Sequence, residues 1–233
     1  MNVNMTSKAI MLTLPMPERA AMKDRPQSRP EEIANSISHG LGVLMALAAA
    51  PVLIVVAARQ GNAANIVGVS VFAVTMILLY FSSTLYHALP PGRAKNLSAK
   101  LDHGAIYLFI AGTYTPFALG VLHGAWGWTL FGLIWGLAAI GLALKVFGRL
   151  SHPLLSTGLY LAMGWLVVIA AVPLLEKVAT EGVLWLVAGG VAYTAGVVFY
   201  LTDARLKFGH FIWHLFVMTG SACHFCAVLW YSA

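Results

Sequence analysis

Seven long apolar runs dominate the chain, separated by short polar joints. They fall near residues 37–58, 64–88, 104–122, 126–147, 153–174, 182–202 and 210–231. Each exceeds about 18 residues, the length at which an apolar run reads as a membrane-spanning helix. The joints carry turn residues, as in Gln60-Gly61-Asn62, Pro90-Pro91-Gly92, Gly124 and Gly148. The pattern predicts an all-α, polytopic membrane protein with seven transmembrane helices over residues 36–233. Residues 1–35 break it. They mix Lys8, Glu18, Arg19, Lys23, Asp24, Arg25, Arg29, Glu31 and Glu32 with four prolines, and read as a flexible polar tail. The apolar stretch Ala9–Leu14 is stopped by Pro15 and is too short for a signal peptide. Inside the runs, Gly132-x3-Gly136 has a spacing that lets helices approach. Pro51 and Pro116 are expected to kink their helices. Trp126, Trp128 and Trp230 fall near run ends, as aromatic belts do.

Composition narrows the class. The 233 residues are 60% hydrophobic and 9% charged, against about 25% charged in an average soluble domain. Disorder is excluded, because it needs low hydrophobicity and high charge. A soluble globule is excluded too, because so few charges cannot cover a compact surface. The net charge of +6 forms no dense basic patch, so no nucleic-acid partner is expected. The cations instead set orientation. Lys8, Arg19, Lys23, Arg25, Arg29, Arg93, Lys95, Lys100, Lys145, Arg149, Arg205 and Lys207 fall on one side, and only Arg59 and Lys177 on the other. This positive-inside bias puts the N-terminus and the tail in the cytoplasm and the C-terminus outside, for a multi-pass protein of the cell's inner (plasma) membrane. Two cysteines, Cys223 and Cys226, lie inside an apolar run. They make no disulfide framework and read as small packing residues.

The scarce polar residues gather at one depth. On this topology His39 opens helix 1, His87 closes helix 2, Asp102 and His103 open helix 3, His152 opens helix 5, and His210 and His214 open helix 7. All fall at the cytoplasmic end, with His123 outside and His224 deep in its helix. His152 reads as an ordinary helix-start residue, His123 as a loop residue, and His224 as a bond between helices or a functional group. Glu32, Asn35 and His39 stand at spacings that share one face, as buried polar glue or as support for a site. His210-x3-His214 projects two imidazoles from one helix face, a common way to offer two metal ligands. His87 at the same depth supplies a third. Ser83 shares a face with His87, and Asp102 stands close by in the same end. Ionisable groups at membrane depth are costly and usually face the bundle interior. Three imidazoles with one open position make the ligand set of a catalytic zinc, with a carboxylate and a hydroxyl to orient water. Imidazole also suits copper, nickel or iron.

At these residues the sequence resembles the hemolysin III branch of the progestin and adipoQ receptor superfamily. The resemblance rests on Glu32-x2-Asn35-x3-His39, Ser83-x3-His87, the run Leu101–Tyr107 continuing to Gly112-Thr113-Tyr114-Thr115-Pro116-Phe117, and His210-x3-His214 with His224 beyond. These motifs come in the family's order from about residue 30 to the end of the chain. The resemblance implies seven helices with a cytoplasmic N-terminus and zinc held near that face by His87, His210 and His214. It further implies that Asp102 contacts the zinc through water and that Ser83 belongs to the same set, shared with alkaline ceramidases and related intramembrane hydrolases. His103 stands where receptor-branch proteins often carry an aromatic residue, and is expected either to add a ligand or to make a hydrogen bond. Bacterial members are linked by name to hemolysis and by proposal to membrane-fluidity homeostasis.

The expected function is therefore that of a zinc protein of lipid or fluidity homeostasis, acting on lipid amides or esters that enter from the bilayer. Asp102 would serve as general base and Ser83 would hold the water or the developing oxyanion. Membrane lipids are the expected partners. Two other readings come from different classes. One is a non-enzymatic, receptor-like sensor whose zinc braces three helices. The other is a cytolytic pore, against which no helix shows a polar stripe along its full length. A retinal-type pigment is disfavoured, because Lys207 falls at or before the start of helix 7.

Overall fold

In lipid a segment must close its own backbone hydrogen bonds, and a helix does so within one segment. The computed structural model describes residues 25–150 and 152–232. Those residues contain seven helices long and apolar enough to cross a membrane. They are α1 (Arg29–Gln60), α2 (Ala63–Ala88), α3 (Arg93–Leu122), α4 (Gly124–Val146), α5 (Pro153–Lys177), α6 (Thr180–Thr202) and α7 (Gly209–Tyr231). No strand occurs among the described residues. The predicted tail lies outside them over residues 1–24.

Two helices start earlier than the apolar runs, for a physical reason. Helix α1 begins at Arg29, not near 37, so residues 29–35 belong to the bundle and not to a tail. Its start is set by Pro30 in the first turn and by Glu31, whose carboxylate accepts the Ser28 N–H at 2.9 Å. Helix α3 begins at Arg93, not near 104. Lys95 there donates to the carbonyls of Tyr86 (2.9 Å) and Leu89 (3.2 Å), the open acceptors at the C-terminus of α2. Asp102 and His103 therefore sit inside α3 and do not open it. Charged turns depress hydropathy but lengthen these helices beyond the apolar runs.

The first three helices approach closely. A Cβ at Gly68 of α2 would lie 2.8 Å from the Pro116 Cα, and one at Gly112 of α3 would lie 2.0 Å from the Thr75 Oγ1. Pro116 ends the regular α-helical part of α3, and Phe117–Leu122 continue as a wider π-turn. Helix α1 runs as one helix through Pro51. The Gly132–Gly136 stripe does not do what its spacing predicted. No atom lies within 4 Å of a Cβ built at either glycine, and both face outward.

Helix α5 is interrupted. Leu166–Ala170 wind as a 3₁₀ segment between two α-helical parts. The Tyr114 hydroxyl of α3 serves the break: it donates to the Met163 and Gly164 carbonyls, both at 2.7 Å, and accepts the Val167 N–H at 3.0 Å. Trp165 at the break donates to Thr194 of α6 at 3.1 Å. Leu, Val and Ile side chains stay exposed along α1, α4, α5 and α6, as lipid-facing surfaces do. Trp126, Trp128 and Trp230 are exposed at the bundle end formed by the start of α4 and the end of α7.

Candidate metal centre

The other end of the bundle holds the start of α1, the end of α2, the start of α7 and the charged first turns of α3. Because a helix places residues three or four apart on one face, α7 turns His210 and His214 inward together, with ring centroids 4.8 Å apart. His87, one residue from the end of α2, meets both, at 5.0 Å from His210 and 5.1 Å from His214. Each of the three can present one nitrogen such that all lie within 4.8 Å of one another. His87 and His214 are buried and His210 is half-buried. Three side chains so placed could hold a metal ion.

The surroundings fit that role. His87 Nδ1 donates to Glu32 Oε2 at 2.7 Å, and His210 Nδ1 donates to Asp203 Oδ2 at 2.8 Å. His214 Nδ1 is shared between the Asn35 carbonyl at 3.2 Å and Ser38 Oγ at 3.0 Å. With carboxylates and a carbonyl as acceptors, the protons are assigned to Nδ1, and Nε2 is the nitrogen left with a lone pair. An acceptor behind each ring is the arrangement that fixes tautomer and orientation in histidine metal sites. His87 Nε2 is buried with no hydrogen-bond partner, a costly state that a metal would relieve.

The neighbours divide clearly. Asp102 is buried on α3 and lines the same cavity end as Ser83 of α2 and His210 of α7. His39 stacks flat on His214, with centroids 3.5 Å apart and an 8° interplanar angle. Glu32 also pairs with Lys95 at 2.9 Å. The Asn35 side chain donates to the Gln27 side chain. His103 stays apart from the three rings: its Nδ1 bonds the Ala99 carbonyl of its own helix at 2.6 Å. His224 lies deep in α7, with Nε2 3.3 Å from the Leu186 carbonyl of α6, so it links two helices. His152 caps the start of α5, and His123 sits exposed in the α3–α4 turn.

A cavity of about 910 Å³ opens from this cluster into the bundle. His39, Ser83, Asp102, His210 and His214 line its polar end, and Ile110, Phe117, Leu161 and Val187 line its body. Its volume lies near the top of the range for small-molecule sites, roughly 300–1,000 Å³.

Sequence reasoning missed Asp203, Ser38 and Gln27. The signal for Asp203 was present: it stands in the joint that leads into His210, at the same end of the bundle. Ser38 follows Asn35 at the spacing of one helical turn, and only the packing of α1 on α7 gives it a partner.

Comparison with known proteins places the chain. The profile of the family described as Haemolysin-III related matches residues 27–225. The chain is 47% identical over 201 residues to the "Hemolysin-3 homolog" of Bacillus subtilis (strain 168), covering 86% of this chain and 94% of that protein. It is 46% identical over 201 residues to the "Hemolysin-3" of Bacillus cereus, covering 86% and 91%. It is 29% identical over 167 residues to the human "Monocyte to macrophage differentiation factor", covering 68% and 67%. Seven apolar helices, a three-histidine cluster and a match over nearly the whole bundle agree: the chain is a multi-pass membrane protein of the haemolysin-III family, within the progestin and adipoQ receptor superfamily.

Proposed function

We propose that this protein is a zinc-dependent intramembrane hydrolase of lipid amides or esters, serving membrane-lipid homeostasis, with its site at the cytoplasmic end of an inner-membrane bundle. One observation carries the reading. Three histidines, each backed by an acceptor at Nδ1, stand beside a buried carboxylate and hydroxyl where a long apolar cavity ends.

His87, His210 and His214 would hold the zinc. When bound, zinc supplies Lewis-acid polarisation and lowers the pKa of water toward about 7. Asp102 takes the proton of the attacking water and later returns it to the leaving nitrogen or oxygen. Ser83, buried on α2 at the same polar end of the cavity, holds that water or the developing oxyanion. The cavity body holds the acyl chain and brings its carbonyl to the polar end, where apolar walls limit competing water. The cytoplasmic assignment rests on the basic residues of the cluster end, among them Arg93, Lys95, Lys145, Arg149 and Arg205, against Arg59 and Lys177 at the other.

The test is direct. The purified full chain, loaded with zinc, is mixed with a panel of long-chain lipid amides and esters, and free fatty acid is measured. Release that disappears in Asp102→Asn while zinc stays bound supports the reading. Zinc content with no release from any lipid overturns the hydrolase and leaves the sensor reading, in which the metal braces α2 and α7. The name of the Bacillus cereus relative raises lysis as a third outcome. Against it, most of the cavity's surface is apolar. Conductance in planar bilayers would restore the pore.

A further inference from the structure

Glu31 is buried to 2% exposure in the first turn of α1, yet it is absent from every motif singled out above. Its carboxylate is saturated. Oε2 accepts Arg25 Nη1 at 2.8 Å, the Ser28 N–H at 2.9 Å and the Ser28 hydroxyl at 2.7 Å. Oε1 accepts Arg25 Nη2 at 2.6 Å and the backbone N–H of Phe208 at 2.8 Å. Helix capping accounts for the Ser28 bonds. It does not account for Phe208, which lies 177 residues away in the joint before α7.

That joint builds half of the metal cluster. Phe208 is left-handed at φ 60°, a strained conformation for an aromatic residue, and it caps α7 with no side-chain bond. Gly209 follows because the joint folds back on itself: a Cβ there would meet the Asp203 Cα at 3.0 Å. The fold-back carries the Asp203 carboxylate over the first turn of α7, to 2.8 Å from His210 Nδ1. An outside partner for the Phe208 N–H therefore fixes the turn on which both Asp203 and His210 depend.

We propose that Glu31 is a positioning residue of the metal centre, clasping the α6–α7 joint to the start of α1 so that Asp203 holds His210 in register with His87. The same helix turn carries Glu32, which holds His87. One turn of α1 thus places both outer histidines, through Glu32 directly and through Glu31 by way of Phe208. This rests on the reading that the histidine trio binds a metal.

The test uses the full chain in detergent, titrated with Zn(II) for affinity and with Co(II) for its visible absorption, a signature of ligand geometry. Glu31→Gln keeps one acceptor and turns the other into a donor facing Arg25 or Phe208. It should weaken zinc binding about tenfold, as loss of outer support does, and should alter the cobalt spectrum. Glu31→Asp keeps the charge, shortens the reach and should fall between. Arg25→Ala leaves the Phe208 bond in place and should stay within about threefold of wild type. Wild-type zinc affinity and cobalt spectrum in Glu31→Gln, even with a lower melting temperature of the metal-free protein, would overturn the proposal by making Glu31 a fold residue only. If Glu31→Gln cannot be purified, wild-type affinity in Glu31→Asp overturns it equally. If the wild-type chain binds no metal, the metal reading fails by itself. The clasp is then judged by hydrogen exchange over residues 204–210, where faster exchange in the Glu31 variants supports it and unchanged exchange overturns it.

Discussion

Helices α2 and α3 and helices α5 and α6 are built for different tasks. In the most apolar stretches of α2 and α3, 56% and 72% of residues are buried inside the protein, against 22% and 17% in α5 and α6. The first pair meets backbone to backbone at Gly68 and Pro116 and carries the buried Ser83, His87 and Asp102. The second pair walls the cavity: α6 packs along α7, but α5 touches its neighbours sparingly and is broken, its break held by one tyrosine hydroxyl. Metal ligands need fixed positions, because a misplaced ligand loses geometry along with affinity. On the proposed hydrolase reading, a lipid needs room and a wall that can yield. Close packing on one side and loose packing on the other supply both within one bundle.

Removing the candidate metal ligands should have the largest effect. His210→Ala or His214→Ala should abolish stoichiometric metal binding, beyond the roughly 10–100-fold cost of losing an outer partner; full metal content in either variant breaks the assignment. Next, Asp102→Asn should keep the metal and lower any lipid cleavage about 10²–10⁴-fold, as expected for a lost general base. Metal content and fatty acid release on one preparation check it. Gly68→Ala drives a methyl to 2.8 Å from the Pro116 Cα, an atom of the backbone that cannot swing aside. A loss of about 1–3 kcal/mol is expected, read by thermal melting in detergent. On the loose side, Tyr114→Phe strands the carbonyls and the N–H at the α5 break, for about 1–2 kcal/mol. Its exchange should speed up in 163–170 more than in α2. The smallest effect belongs to Gly132→Ala, with open space at its Cβ: within about 0.5 kcal/mol of wild type. Equal losses at Gly68 and Gly132 would erase the contrast.

Much of this was legible in the chain, and the failures share a cause. The seven spans were visible because lipid demands about 20 apolar residues per crossing. His87, His210 and His214 were visible because polar groups are scarce in such spans, and helical periodicity assigns each a face and a depth. The early starts of α1 and α3 were hidden, because charged turns such as Arg93–Lys100 look like loop to a hydropathy reading. Gly132–Gly136 misled because small-residue spacing permits an approach without naming a partner. His103 and His39 illustrate the limit most sharply. Both were supporting candidates by depth; rotation about the helix axis turned His103 to its own backbone but laid His39 flat on His214, against a candidate ligand.

The sequence alone determines that this protein crosses the membrane seven times and belongs to the haemolysin-III family, and it marks the few polar residues worth attention. Hydropathy and motif order are one-dimensional properties, and both survive without coordinates. The tertiary structure alone decided which acceptor stands behind each imidazole, that Glu31 accepts from the Phe208 N–H, and that the cavity lies along α3, α5, α6 and α7. Those facts depend on how helices rotate and pack across separations such as the 177 residues between Glu31 and Phe208. Local spacing carries no information about such rotation.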